Sequence, residues 1–152
     1  MTQEYRLISE FYGTRRARRS NVLLMNHIDE GLKILDRLGA SEQTKRAYCL
    51  HPIVQSDQDL LNNRHLLSNI SSDVIMLVME YRSIANQYLS HRVIKNIDEI
   101  ILSPLHEVNQ MLLADKQQNY KDFVLYHKGK HPRSQELELY FNNWLDRLAD
   151  IT

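Results

Sequence analysis

The chain is poor in the residues that cross-link or interrupt a fold. It has a single cysteine, Cys49, in 152 residues. No intrachain disulfide can form, and a reducing cytoplasm is the simplest setting. The flanking Tyr48 and Leu50 mark that thiol as a small buried hydrophobe rather than a nucleophile. Only four glycines and three prolines punctuate the sequence, and no stretch alternates apolar and polar residues with period two, so strands are not expected. Charge of one sign is also missing. Lys plus Arg and Asp plus Glu both number 19, which argues for no polyanionic partner. The longest apolar run, Val74 to Met79, is far too short to span a bilayer, and no N-terminal apolar run reads as a signal peptide. A soluble, cytoplasmic protein with no membrane partner is the expectation.

What is present is helical periodicity. An opening helix is expected over Gln3 to Tyr12, stopping at Gly13. A second carries Leu24, Ile28, Leu32 and Leu35 on one stripe and ends at Gly39. Ser41 reads as the N-cap of a third, running through Ala47 and Leu50 towards His51. A buried helix is expected from about Asp73 to Ser90. Another is expected from Pro104, as its first residue, to about Lys128, and a last one from about Ser134 to Ile151. The sum is one all-α domain over residues 1–152, a bundle of about six to eight helices.

Polar residues interrupt the apolar stripes at a few places. Asp115 and Asn119 share the core-facing stripe of the fifth of these helices, and a buried carboxylate is costly unless paired, hydrogen-bonded or metal-bound. His27 and His51 likewise sit beside apolar helical positions. Each alone reads first as a hydrogen-bonded structural residue, whereas together they are the ingredients of a His/His/Asp metal site.

Three segments join these residues into a pattern. The first is "RRSNVLLMNH", Arg18 to His27. The second is "LHPIVQS", Leu50 to Ser56, whose histidine lies 24 positions after His27. The third is "LADKQQN", Leu113 to Asn119. In order and spacing they resemble the RKSG-like, LHDxxED and LADRxxN motifs of the HD-domain phosphohydrolases, specifically the RelA/SpoT-type guanosine polyphosphate (ppGpp) hydrolase domain. The resemblance spans about Arg15 to Lys121. It implies an HD-domain-like helical bundle with His27, His51 and Asp115 as metal ligands. It further implies that Asn119, Arg18 and Arg19 contact a phosphorylated nucleotide, and that a Mn²⁺-like divalent metal assists release of pyrophosphate from its 3′ position.

The departures fall at the chemistry. Pro52 replaces the aspartate of the HD pair, so metal affinity should be weakened or lost. Gln55 and Ser56 replace the family's acidic pair, and neither can act as a base near neutral pH. Asp57, Asp59, Glu80, His127 and His131 are the candidates for rescue. The segment holding Lys128, Lys130, His131 and Arg133 reads either as a phosphate-binding loop or as a basic exposed turn. The run "RRARR", Arg15 to Arg19, could neutralise phosphates, but zero net charge and the absence of interleaved aromatics argue against a nucleic-acid partner. Two functional expectations remain open. One is a divergent hydrolase with reduced or changed activity; the other is an inactive pseudo-hydrolase that binds a nucleotide or a protein partner.

Overall fold

Helix boundaries in this chain follow from its caps and its few glycines. The computed structural model describes residues 1–151. Its seven α-helices are Gln3–Tyr12 (α1), Met25–Arg37 (α2), Glu42–Leu50 (α3), Asp57–Asn63 (α4), Ser72–Ala85 (α5), His106–Asp122 (α6) and Ser134–Leu148 (α7). Among the described residues no sheet forms; an isolated antiparallel bridge joins Arg16 and Leu23. Thr2 and Ser41 accept the N–H groups of Tyr5 and Thr44 and so open α1 and α3. Ser56 and Asp59 exchange hydrogen bonds in a capping box that starts α4. Gly39, at φ +67°, lets the chain turn out of α2, with the Ala40 N–H donating back to the Leu35 carbonyl.

The all-α expectation holds, with local corrections. Helix α5 ends at Ala85 rather than near Ser90. Pro104 stands in a bend outside α6, whose N-cap is Leu105. The periodic stripe read through to Tyr126 changes character after Asp122, where Phe123–His127 widens to a π-helical turn and Tyr126 becomes exposed. Helix α4 and the 3₁₀ turn that follows it, Arg64–Leu67, were not read from the sequence; together they bury only Leu67 and so carry little periodicity.

Helix α6 is the axis of the bundle. It packs against α2, α3, α5 and α7, and its buried residues run without a break from Val108 to Lys116 and resume at Gln118. A helix buried on all sides has no solvent stripe on which to place polar side chains. Its polar residues must therefore find partners inside. Asn109 exchanges two hydrogen bonds with the Ser103 backbone at 2.9 and 3.0 Å, fastening the loop that precedes the helix. Gln110 donates to the Leu38 carbonyl at the end of α2. Around it Ile28, Leu35, Leu50, Val78, Trp144 and Leu148 are buried in one contiguous cluster. Full burial of each such side chain contributes about 1.5–3 kcal/mol.

At the approach of α2 to α3, Gly31 meets the Tyr48 ring so closely that an added Cβ would overlap the Tyr48 hydroxyl and ring carbons. Tyr48 is fully buried and has no solvent into which to retreat. Gly31→Ala is therefore expected to destabilise the fold by about 1–3 kcal/mol. The measurement is a urea titration, with a lower midpoint at unchanged slope. An unchanged midpoint would mean the ring has room to move.

Candidate metal centre

Three helices bring three side chains to one point. His27 stands in the first turn of α2, His51 at the C-terminal end of α3, and Asp115 in the buried middle of α6. His27 Nε2 lies 3.0 Å from Asp115 Oδ1, His51 Nε2 lies 3.4 Å from the same oxygen, and the two Nε2 atoms are 3.1 Å apart. Two ligands about 2.1 Å from a common ion, at octahedral or tetrahedral angles, are separated by about 3.0–3.4 Å. The three atoms are thus spaced as ligands of one divalent ion would be, and the group could hold a metal.

Burial makes the group expensive to leave without a positive charge. The side chains of His51 and Asp115 are only 3% and 7% exposed, while that of His27 is 18% exposed. Any approach from solvent therefore comes from the His27 side. Burial opposes ionisation of Asp115. The Lys116 ammonium and the facing imidazoles of His27 and His51 outweigh it and hold the carboxyl well below its ordinary value. For His27, burial pushes the pKa down, but the hydrogen bond to Asp115 reverses this and the net shift is upward. For His51, burial prevails over Asp115 and the net shift is downward. The two imidazoles are thus shifted in opposite directions, His27 towards its protonated form and His51 towards its neutral one.

Backbone geometry fixes the neutral one. In a continuing α-helix the N–H of residue 52 would donate to the Tyr48 carbonyl, but Pro52 has none. The chain tightens into a 3₁₀ turn, His51–Val54, and the Tyr48 carbonyl accepts instead from the His51 backbone N–H and, at 2.5 Å, from His51 Nδ1. His51 Nδ1 therefore carries the hydrogen, and Nε2 presents its lone pair to Asp115 and His27. Tyr48 packs its ring on His51 with centroids 4.6 Å apart and donates its hydroxyl to the His27 carbonyl at 3.2 Å. The Tyr81 ring lies edge-on to His51, with centroids 5.0 Å apart. Burial, and then the charge of Asp115, raise both phenols well above their ordinary value, so neither titrates near neutrality.

Around this centre lie residues that sequence reasoning did not single out. Lys116 is buried; its ammonium lies 3.1 Å from Asp115 Oδ2 and 2.9 Å from the Tyr140 hydroxyl, and over the rings of Tyr140 and Trp144. Gln118 is buried beside His27 Nδ1 and reaches Glu30 and Asp122 with its amide nitrogen. Gln118 carried a readable signal, since three residues after Asp115 it falls on the same helix face. Lys116, one residue after Asp115, carried none. Its partner on α7 is known only from the fold.

Asn119 reaches the centre, donating to Asp115 Oδ1 at 3.2 Å. Arg18 and Arg19 are placed differently from the ligand group. They are exposed at the tip of a small hairpin, held by the bond from the Ala17 N–H to the Val22 carbonyl and by that from the Leu24 N–H to the Arg15 carbonyl. Arg19 is one of the cations that, after partial desolvation, hold His131 below its ordinary value. Its electrostatic neighbour is thus the α6–α7 turn. In that turn Lys128 pairs with Glu138, and Arg133 pairs with Glu136 and donates to Ser90. The exposed-turn reading of this segment fits those pairings. The rescue carboxylates are engaged as well. Asp57 pairs with Arg82, Asp59 completes the α4 capping box, and Glu80 accepts from the Ser103 hydroxyl.

The Asp115–Lys116 contact generates a contrast in stability. Asp115→Asn leaves the Lys116 charge buried without its counter-ion and is expected to cost about 3–5 kcal/mol. Asn119→Ala removes one half-buried hydrogen bond and is expected to cost about 1 kcal/mol. Equilibrium unfolding of both variants checks the ranking, and equal losses would mean that the pair contributes no more than an ordinary hydrogen bond. No family model, curated protein or solved structure matches the chain.

Proposed function

We propose that this chain is a divergent HD-type, guanosine polyphosphate hydrolase-like domain. Its three-ligand centre takes a Mn²⁺-like divalent cation and engages a phosphorylated nucleotide, with reduced or changed hydrolytic activity. The observation that carries the reading is the convergence of His27 Nε2, His51 Nε2 and Asp115 Oδ1 at separations of 3.0–3.4 Å, from three segments that resemble the family's motifs in order and spacing. Two neutral imidazoles and a carboxylate suit a borderline transition ion better than Mg²⁺, which prefers an all-oxygen shell. A divalent cation held there would polarise a phosphoryl oxygen and lower the pKa of a bound water. Asp115 and the histidines would hold it, and Asn119 would stand beside it for a substrate oxygen.

Binding without turnover is the second reading, and a specific observation favours it. A general base must stand within hydrogen-bond reach of the water it activates. Gln55 is turned to Asn86, Ser56 is spent as a cap, and Asp57, Asp59 and Glu80 each have a partner elsewhere. On the same ground, any hydrolysis by the first reading is slow.

The test is titration calorimetry with Mn²⁺, followed by incubation with guanosine polyphosphate and ion-exchange separation of the products. Mn²⁺ binding should be present in the wild type and abolished in Asp115→Ala. In Pro52→Asp, which restores a carboxylate at the position where the resembled family has its fourth ligand, affinity should rise by at least about tenfold. Pyrophosphate release that disappears in Asp115→Ala would select the hydrolase; nucleotide binding without release would select the second reading. Absence of Mn²⁺ binding in both the wild type and Pro52→Asp would sink the metal centre altogether.

A further inference from the structure

Gln118 is among the most buried polar side chains in the protein, at 1% exposure, and every hydrogen-bonding atom of its amide is engaged. The amide nitrogen is 2.8 Å from Asp122 Oδ2 and 3.3 Å from Glu30 Oε2. Carboxylates only accept, so the nitrogen must face them and the amide oxygen must face His27 Nδ1, with which it makes a short contact. An amide oxygen also only accepts. The hydrogen of a neutral His27 is therefore drawn to Nδ1, and the Nε2 lone pair is left pointing at Asp115 and His51.

A second acceptor competes for that hydrogen. Asp115 Oδ1 lies 3.0 Å from His27 Nε2 and, acting alone, would draw the proton to Nε2. In that tautomer His27 donates to Asp115 and has no lone pair to offer a cation. We infer that Gln118 is a positioning residue of the centre: it selects the cation-binding tautomer of His27, and Glu30 and Asp122 select the orientation of Gln118. This rests on the metal reading above. Lys121 pairs with both carboxylates and offsets the charge that they would otherwise place beside a buried amide. The two histidines are thus set by different means. His51 Nδ1 is held by a backbone carbonyl, which side-chain substitution leaves in place, whereas His27 Nδ1 is held by a side chain that substitution can remove. Partners of this kind, beyond the direct ligands, typically change metal affinity by about 10–100-fold.

The experiment reads the tautomer directly, by long-range ¹H–¹⁵N correlation of the imidazoles in metal-free protein at pH 9. The His27 signals are assigned by their loss in His27→Gln. The wild type should show His27 with its hydrogen on Nδ1. Gln118→Leu keeps an apolar side chain in the space but removes the acceptor; His27 should shift to the Nε2–H form, and Mn²⁺ affinity should fall about 10–100-fold. Gln118→Glu returns an acceptor and should restore the Nδ1–H form, which a purely structural role for the amide would not produce. If Gln118→Leu does not fold, the double variant Glu30→Gln with Asp122→Asn serves in its place. Both residues are partly exposed, and their loss frees the amide to turn over, so a mixture of tautomers is expected.

An Nδ1–H pattern that persists in Gln118→Leu, or in the double variant, overturns the inference. So does an Nε2–H pattern in the wild type. A wild type with the Nδ1–H pattern that binds no Mn²⁺ leaves the assignment to Gln118 standing and removes the metal reading instead.

Discussion

The site depends on how one buried carboxylate divides its two oxygens. Asp115 Oδ1 faces His27, His51 and Asn119, while Oδ2 faces Lys116. Burying an ionised carboxylate costs several kcal/mol unless charge and hydrogen bonds surround it, and here the contacts come from α2, from the end of α3 and from α6 itself. His27 ties α6 to α2, His51 ties it to α3, and Lys116 carries the tie on to Tyr140 of α7. Because the carboxyl is held below its ordinary value, the stability it contributes is present above the unfolded-state value of about 3.9. That contribution is lost only as pH falls through the lower folded-state value. The central helix is anchored by polar contacts at the level where its apolar packing would otherwise be interrupted.

Lys116 alters what the centre can do as well as what it costs. With its ammonium on Oδ2, Asp115 is left to present one oxygen to the histidines, and part of its charge is already balanced. Three neutral or half-neutralised ligands would bind a divalent ion less tightly than a set with a second carboxylate, as an aspartate at position 52 would provide. Among the described residues no second carboxylate joins the group. The carboxylates closest in sequence, Asp57 and Asp59, are drawn away by Arg82 and by the α4 capping box, contacts that a reading of composition alone does not anticipate.

The fold was legible where burial is one-sided. The stripe on α2 and the cap at Ser41 carry clear local signals, and helices stand there. Legibility failed where burial is total or slight. Helix α6 is buried on all faces, so its polar residues Asn109, Gln110, Lys116 and Gln118 disturb no stripe and were passed over; α4 buries nothing and left no pattern to read. His27, His51 and Asp115 were legible as polar residues on or beside apolar stripes, and the spacing of three motifs joined them. Arg18 and Arg19 came from the same resemblance, and they stand at an exposed hairpin tip closed by the Arg16–Leu23 bridge.

Pro52 can be read as damage, but its local effect has a second side. Removing the N–H at position 52 leaves the Tyr48 carbonyl free for the imidazole of His51, so the residue that lacks a ligand also locks the ring before it. A site kept only for stability gains little from this arrangement, because apolar residues of similar volume in place of a buried charged cluster are often neutral or stabilising. The centre here keeps a carboxylate, a lysine and two histidines at the heart of the bundle. One histidine is locked by the backbone and the other is braced by a buried amide and two carboxylates. That much polar structure around one point is costly to the fold, and it is accounted for physically if something positively charged, a shared proton or a metal ion, occupies the space between the three converging atoms.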